Sequence, residues 1–351
     1  MKKVIDYAKK TFLAFKDPYN SIYKVYPLAI NRFEDNPNIK YLGVKNVSSI
    51  PLSLIEKLES SNYVLHTIDK SSHNGRAVDY NMTNPISGQK MTGSSSGTAI
   101  NVFLGINDLG IGNDGGGSVL APAMAVNCYG FISPLIEADY MKQFEKLSTD
   151  NIKFYPSLGF ITRDYRTIYD AIIKVLDIPN CDDNIVLSIP NENYVVNNKN
   201  INQDLKYKLK YKLKEIELPK MTNDRKPLID FLREAIKDCD VLISYEAKID
   251  VDGLGDTVLG HFDEEMASQQ LKSGKFLIRV ANMVKATSLV IPSEEFASGY
   301  TLFCESEPKK IAKMLKVAES LISNDDELIE RYFRTHDYYF NSELLDYKKL
   351  K

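Results

Sequence analysis

The chain has 351 residues, 44% of them hydrophobic, and a formal net charge of −3 at pH 7. This suits one large globular domain or two modest ones, and it excludes a general electrostatic attraction for nucleic acid or an anionic membrane. The four cysteines, Cys128, Cys181, Cys239 and Cys304, stand too far apart for a C-x-x-C pair and are too few for a disulfide framework. Asp6, Lys9 and Lys10 interrupt any apolar stretch at the start, and no run of 18 apolar residues follows, so a cytoplasmic protein is expected.

In chain order, residues 1 to 16 predict an amphipathic helix with Val4, Ile5, Ala8, Phe12 and Phe15 near one face. "YLGVKNVSSIPLS" (41 to 53) predicts a short strand closed by a turn, and "SLIEKLESSNYVL" a helix. Residues 82 to 123 are dense in Gly, Ser, Asn and Pro around the apolar "TAINVFLGI", as where backbone must come close to something. Helix and strand then alternate: "YRTIYDAIIKVL" helix, "NIVLSIP" strand, "DLKYKLKYKL" helix, "KEIELP" strand, "PLIDFLREAIKD" helix, "CDVLISYEA" strand. "RVANMVKATS" is read as helix, "LVIPS" and "TLFCES" as strands, and "EPKKIAKMLKVAESLI" as the closing helix. The pattern predicts an α/β fold with a central sheet covered by helices on both faces. In "LKYKLKYKLK", Leu205, Leu209 and Leu213 recur at helical spacing and leave the lysines on a solvated face. The aromatic tail "HDYYFNSELLDYKKLK" suits docking on the body or on a second copy, which leaves a homodimer open.

Three chemical readings compete for the glycine-rich loop "GNDGGGSVLAPA" (112 to 123). "GIGNDG" spells G-x-G-x-x-G at Gly110, Gly112 and Gly115, but two more glycines and Pro122 follow where a dinucleotide-binding helix should begin. "SGQK" sets Ser87 three residues before Lys90, in a loop and without the partner motifs of an S-x-x-K enzyme. No G-x-S-x-G elbow exists for a histidine-assisted serine, and His66, His73, His261 and His336 lie in unremarkable contexts. The third reading joins "GVKNVSS", "TGSSSGTA" and "GNDGGGS", which contribute Lys45, Ser94 and Ser118.

In order and spacing these three pieces resemble the amidase signature family of Ser-cisSer-Lys hydrolases, with Ser118 24 residues after Ser94. "NPISGQKMTGSSSG", "PSLGFITRDYRTIYDAI", "DVLISYEA", "RVANMVKATSLVIPS" and "SGYTLFCESEPKKIAKMLKVAESL" are similar to further family segments. The resemblance implies one amidase-like domain over 1 to 351, with an N-terminal helical segment (1 to 29), a core (30 to 323) and a C-terminal helical tail (324 to 351). It implies a central mixed β-sheet, and a serine hydrolase that cleaves a carboxamide through an acyl-Ser118 intermediate. Lys45 is then the base, Ser94 the bridging relay, and Gly93–Ser94 the family's cis peptide. Gly115, Gly116 and Gly117 become the oxyanion hole, with Asp114 and Gly93 supporting the loop. A neutral lysine is required, hence a lowered pKa.

Departures stand beside the likeness. Leu120 replaces the arginine that usually braces the loop aspartate, Asn113 replaces a threonine, and the segment from Lys45 to Ser94 is short at 49 residues. Acyl transfer to an amine by the same triad, or a binding protein that has lost turnover, are therefore kept as alternatives. No metal or organic cofactor is implied, and the partner is a small-molecule amide. The pocket-lining roles of Tyr245, Glu246, Lys248 and Asp250 are left open, and the acidic run "KIDVDGLGD" is read as a solvated loop in preference to a cation-binding one.

Overall fold

A computed structural model describes residues 2–181, 184–323, 326–336 and 339–340. Eleven strands form one mixed sheet: β1 (Ile22–Val25), β2 (Lys40–Lys45), β3 (Tyr63–Asp69), β4 (Leu109–Asp114), β5 (Tyr129–Ser133), β6 (Ser157–Thr162), β7 (Val186–Pro190), β8 (Lys212–Ile216), β9 (Val241–Glu246), β10 (Ala286–Pro292) and β11 (Gly299–Glu305). Their spatial order is β1-β3-β2-β4-β6-β5-β10-β11-β9-β7-β8. The pairs β3/β2, β2/β4, β9/β7 and β7/β8 are parallel and the other pairs antiparallel.

Helices cover both faces, because alternate residues of the central strands are apolar on both sides. On one face Phe131, Val241 and Ile243 join a core with Leu54 and Leu58 of α1 (Leu52–Glu59), Ile168 and Ile172 of α2 (Tyr165–Val175), and Ile311 and Leu315 of α3 (Pro308–Glu319). On the other, Ile132, Leu242 and Phe303 pack against Ile100 and Phe103 of the helix Ser96–Phe103, Leu120 and Met124 of the helix Leu120–Ala125, and Leu228 and Leu232 of the helix Lys226–Ala235. Local chemistry sets the ends. Asp164 caps α2 by accepting from the Thr167 amide at 2.8 Å, and Pro308 opens α3.

Several elements differ from the sequence reading. The helix Lys2–Lys16 forms, but it turns Val4, Ile5, Phe12 and Phe15 outward and buries Tyr7, Thr11, Leu13 and Ala14. Tyr7 gains an edge-on contact with Phe33 and a 2.7 Å hydrogen bond to Asp108, which together outweigh a purely apolar face. "YVL" belongs to β3, and "DLKYKLKYKL" splits, so that Leu205 lies on a helix and Leu213 on β8. "RVANMVK" is no continuous helix: one 3-10 turn, Leu277–Arg279, ends at its start, a second spans Asn282–Val284, and "ATS" begins β10. The C-terminal tail falls largely outside the described residues; Glu327–Tyr332 within it is helical. Among the described residues no helix is long and apolar enough to cross a membrane.

Candidate active site

Two adjacent parallel strands begin the site. Gly43 pairs with Gly110 and Val44 with Ile111, so Lys45 and Asn113 emerge side by side at the carboxyl ends of β2 and β4. This is the edge at which open α/β sheets present their ligand crevices. Gly43 is required for the close approach: a Cβ there would lie 2.2 Å from Asn107 Nδ2 and 2.6 Å from Asp69 Oδ2.

Lys45 is 2% exposed. Its Nζ donates to Ser94 Oγ at 2.6 Å and to Asn113 Oδ1 at 2.7 Å, while Asn113 Nδ2 donates to Ser49 Oγ at 2.8 Å. Burial draws the Lys45 ammonium down to about 7, against the opposing pull of Asp114 and with help from the positive charge of Lys146. An amine half neutral at pH 7 is what a lysine base needs.

Ser94 and Ser118 each sit in a turn ahead of a helix, and the two turns are tied together. The Ser95 amide donates to the Ser118 carbonyl at 3.2 Å. Gly93 has φ +75, and a Cβ there would lie 2.4 Å from the Pro122 ring, so the glycine lets the two turns pack directly. The expected cis Gly93–Ser94 bond is not present: among the described residues every peptide is trans, and the left-handed Gly93 makes the turn instead. Ser118 lines one cavity of about 430 Å³ with Lys45, Ser94, Asn113, Gly115 and Gly116.

Asp114 is fully buried and organises the glycine loop. Its Oδ1 accepts from the Gly117 amide at 2.7 Å, and its Oδ2 accepts from Val119 at 2.5 Å and Leu120 at 3.3 Å. Burial raises its pKa, and these amides pull it back. Backbone donors therefore fill the place of the absent arginine, while Leu120 is wholly buried in the apolar core. This corrects the oxyanion expectation at Gly117, whose N–H is taken by Asp114. The amides of Gly115 and Gly116 have no acceptor among the described residues, and both glycines line the cavity. Gly115 has a further steric reason, since a Cβ would lie 2.6 Å from the Phe154 ring.

The acidic run behaves differently from the solvated loop expected. Asp250 pairs with Lys275 at 2.9 Å and Asp256 with Arg76 at 2.9 Å, and both aspartates are buried. Tyr245, Glu246, Lys248 and Asp250 do not line the cavity, whereas Thr257 and Val258 do. Glu246 instead accepts from the amides of Phe276 at 2.7 Å and Ile278 at 2.9 Å, bracing the segment whose Ile278 carbonyl backs Gly117. Burial pushes its carboxyl up to about 7, against those amides. Sequence reasoning missed Asn113 as a partner of Lys45, and also missed Lys146 and Arg225 in the cavity wall. Asn113 was visible only as a departure from threonine; the other two lie in segments without a motif.

A family model described as Amidase matches residues 76–134, the stretch that holds Ser94 and Ser118. Among solved structures the chain is similar to 6-aminohexanoate cyclic dimer hydrolase (12% identity, 95% of this chain and 93% of that one, TM-score 0.61). It is similar to peptide amidase from Stenotrophomonas maltophilia (12%, 95% and 93%, TM-score 0.60). It is also similar to one subunit of the glutamyl-tRNA(Gln) amidotransferase from Thermotoga maritima (13%, 90% and 91%, TM-score 0.56). No curated protein matches it by sequence.

Proposed function

We infer that this chain, which has the amidase signature fold, is an enzyme acting on carbon–nitrogen bonds, and that it cleaves a carboxamide through an acyl-Ser118 intermediate. The observation that carries the reading is Lys45: buried, drawn to about 7 and 2.6 Å from Ser94 Oγ, in the cavity that Ser118 also lines.

In this mechanism the neutral Lys45 amine donates N–H bonds to Asn113 and turns its lone pair to the Ser94 hydroxyl. Ser118 Oγ attacks the amide carbon and passes its proton to Ser94, whose own proton moves to Lys45. The oxyanion is met by the Gly115 and Gly116 amides, and each such donor typically contributes about 2.7–4 kcal/mol to lowering the barrier. The proton on Lys45 returns through Ser94 to the leaving nitrogen as the C–N bond breaks. Water then attacks the acyl ester by the same relay and releases the acid and free Ser118.

A second reading is favoured by the similarity to the amidotransferase: an amine or ammonia replaces water at the acyl enzyme. Labelling by a fluorophosphonate probe that disappears in Ser118→Ala is the expected result; labelling that persists in the variant excludes Ser118 as nucleophile. Ammonia release measured with and without added amine separates hydrolysis from transfer.

A further inference from the structure

The cavity carries a second chemical feature besides the lysine and serines. Among its described lining residues there is no Asp or Glu, whereas Arg76, Lys146 and Arg225 all reach it. Arg76 is paired with Asp256 and Arg225 with Asp150, so what Arg225 offers a ligand is its free Nη1 donor and not an uncompensated charge. Lys146 has no ion pair among the described residues and lies 5.5 Å from the centre of the Phe154 ring. Arg225 is 7% exposed, a buried guanidinium in the wall of an aqueous pocket.

Its fork is only partly used. Nε donates to Asp150 and Nη2 donates to Thr149 Oγ1 at 2.7 Å, which fixes the plane of the guanidinium. Nη1 has no hydrogen-bond partner among the described residues, and it would lie 3.5 Å from a Cβ placed on Gly116. The free donor thus sits beside one of the two amides assigned to the oxyanion. Behind it, Arg279 is 3% exposed, and its Nε and Nη1 are buried without partners among the described residues. Asp150 also contacts His261 at 3.2 Å, so this one carboxylate is shared. A desolvated, half-satisfied guanidinium gains strongly from a carboxylate, which it meets with charge-assisted hydrogen bonds in fixed geometry.

Resting on the amidohydrolase reading, we propose that the cavity selects small amides carrying a carboxylate a short distance from the scissile carbonyl, bound by Arg225 Nη1 and Lys146 Nζ. The substrate class is then the monoamide of a short dicarboxylic acid or a close relative. This reverses the cationic preference that the acidic run 248 to 256 had left open, because its buried aspartates are consumed by Lys275 and Arg76. The volume of about 430 Å³ suits a small molecule.

The test compares the monoamides of malonic, succinic and glutaric acid with their neutral diamides. Ammonia release gives kcat/KM, and calorimetry on Ser118→Ala gives binding of succinate and of inorganic phosphate. At least one monoamide should exceed its diamide by about tenfold or more, and Lys146→Glu and Arg225→Gln should each cut that preference about tenfold, mainly through KM. Lys146 is at the surface, so its variant carries the test if Arg225→Gln does not fold. Diamides turned over as well as monoamides, or a preference unchanged in Lys146→Glu, overturns the proposal and leaves the hydrolase reading standing. No turnover of any amide, with succinate binding that weakens in Lys146→Glu, sinks the hydrolase reading and supports the anion site. Tighter binding of phosphate than of succinate overturns the carboxylate assignment.

Discussion

Asn113 Oδ1 lies 2.7 Å from Lys45 Nζ, and the same amide is held from behind by Ser49, so the position of the base is set by a side chain on the neighbouring parallel strand. Lys45 is thereby oriented from one side by Asn113 and meets Ser94 on the other.

The pH dependence follows from Lys45. Its conjugate acid lies at about 7, so kcat/KM for an amide is expected to rise through that value and level off above it. Lys45→Arg removes the base and should lower the rate by roughly 10²- to 10⁴-fold. A flat profile in the wild type from pH 5 to pH 9 counts against the assignment.

Stability carries the opposite face of the same shift. The folded pKa is depressed below the unfolded 10.5, so between about 7 and 10.5 the unfolded chain binds more protons. Lys45 therefore weakens the fold most below about pH 7, and its contribution improves as pH rises through that window. Lys45→Met should show its greatest gain in Tm over wild type near pH 6 and a smaller one near pH 9, read by thermal denaturation.

Asn113 and Lys146 should move the activity profile in opposite directions. An acceptor on Nζ favours the ammonium, so Asn113→Ala shifts the rising limb to lower pH and loses rate through misorientation. Lys146 disfavours the ammonium, so Lys146→Glu shifts the limb to higher pH. Titrations of kcat/KM in the two variants check the signs, and shifts of the same sign refute this account of the local field.

Asp114→Ala should damage the loop well beyond the loss of one charge. It orphans the buried amides of Gly117, Val119 and Leu120, each costing about 1–3 kcal/mol. A fall in Tm together with loss of fluorophosphonate labelling is expected. Leu120→Arg does not repair the site, because it forces a charge into an apolar core, and it should also lower Tm.

Gly93→Ala tests the contact between the serine turns. The residue has φ +75 and its new methyl would meet Pro122, so strain and clash add. Activity should fall by more than stability alone explains, measured as kcat at a temperature where the variant remains folded.

Much of this was readable from the residues. Amphipathic spacing located the helices at 165 to 175, 226 to 235 and 308 to 319, and the three motif pieces brought Lys45, Ser94 and Ser118 to one cavity. The strands at 109 to 114, 129 to 133 and 157 to 162 escaped notice because both of their faces are buried and each contains glycine, which erases alternation. The outward face of the first helix was misread because Tyr7 and Thr11, polar enough to count as surface, are buried by partners far along the chain. Arg225 and Lys146 carry no local signal: their meaning arises only where the chain brings them to the glycine loop. Gly117 was misassigned for a similar reason, since spacing does not say which amide turns toward Asp114.

The pairing of Gly43 with Gly110 and of Val44 with Ile111 has a consequence for how the candidate site is assembled. Successive side chains of a strand point to opposite faces, so a slip of β2 by one residue would turn Lys45 away from Ser94 and bring Val44 into its place. Chains with that mispairing would bury Lys45 without its Ser94 partner and, under the proposed function, would be inert. Correct registration of two strands during folding thus also makes the contact between Lys45 and Ser94, and under the proposed function recovery of activity on refolding would report the docking of β2 against β4.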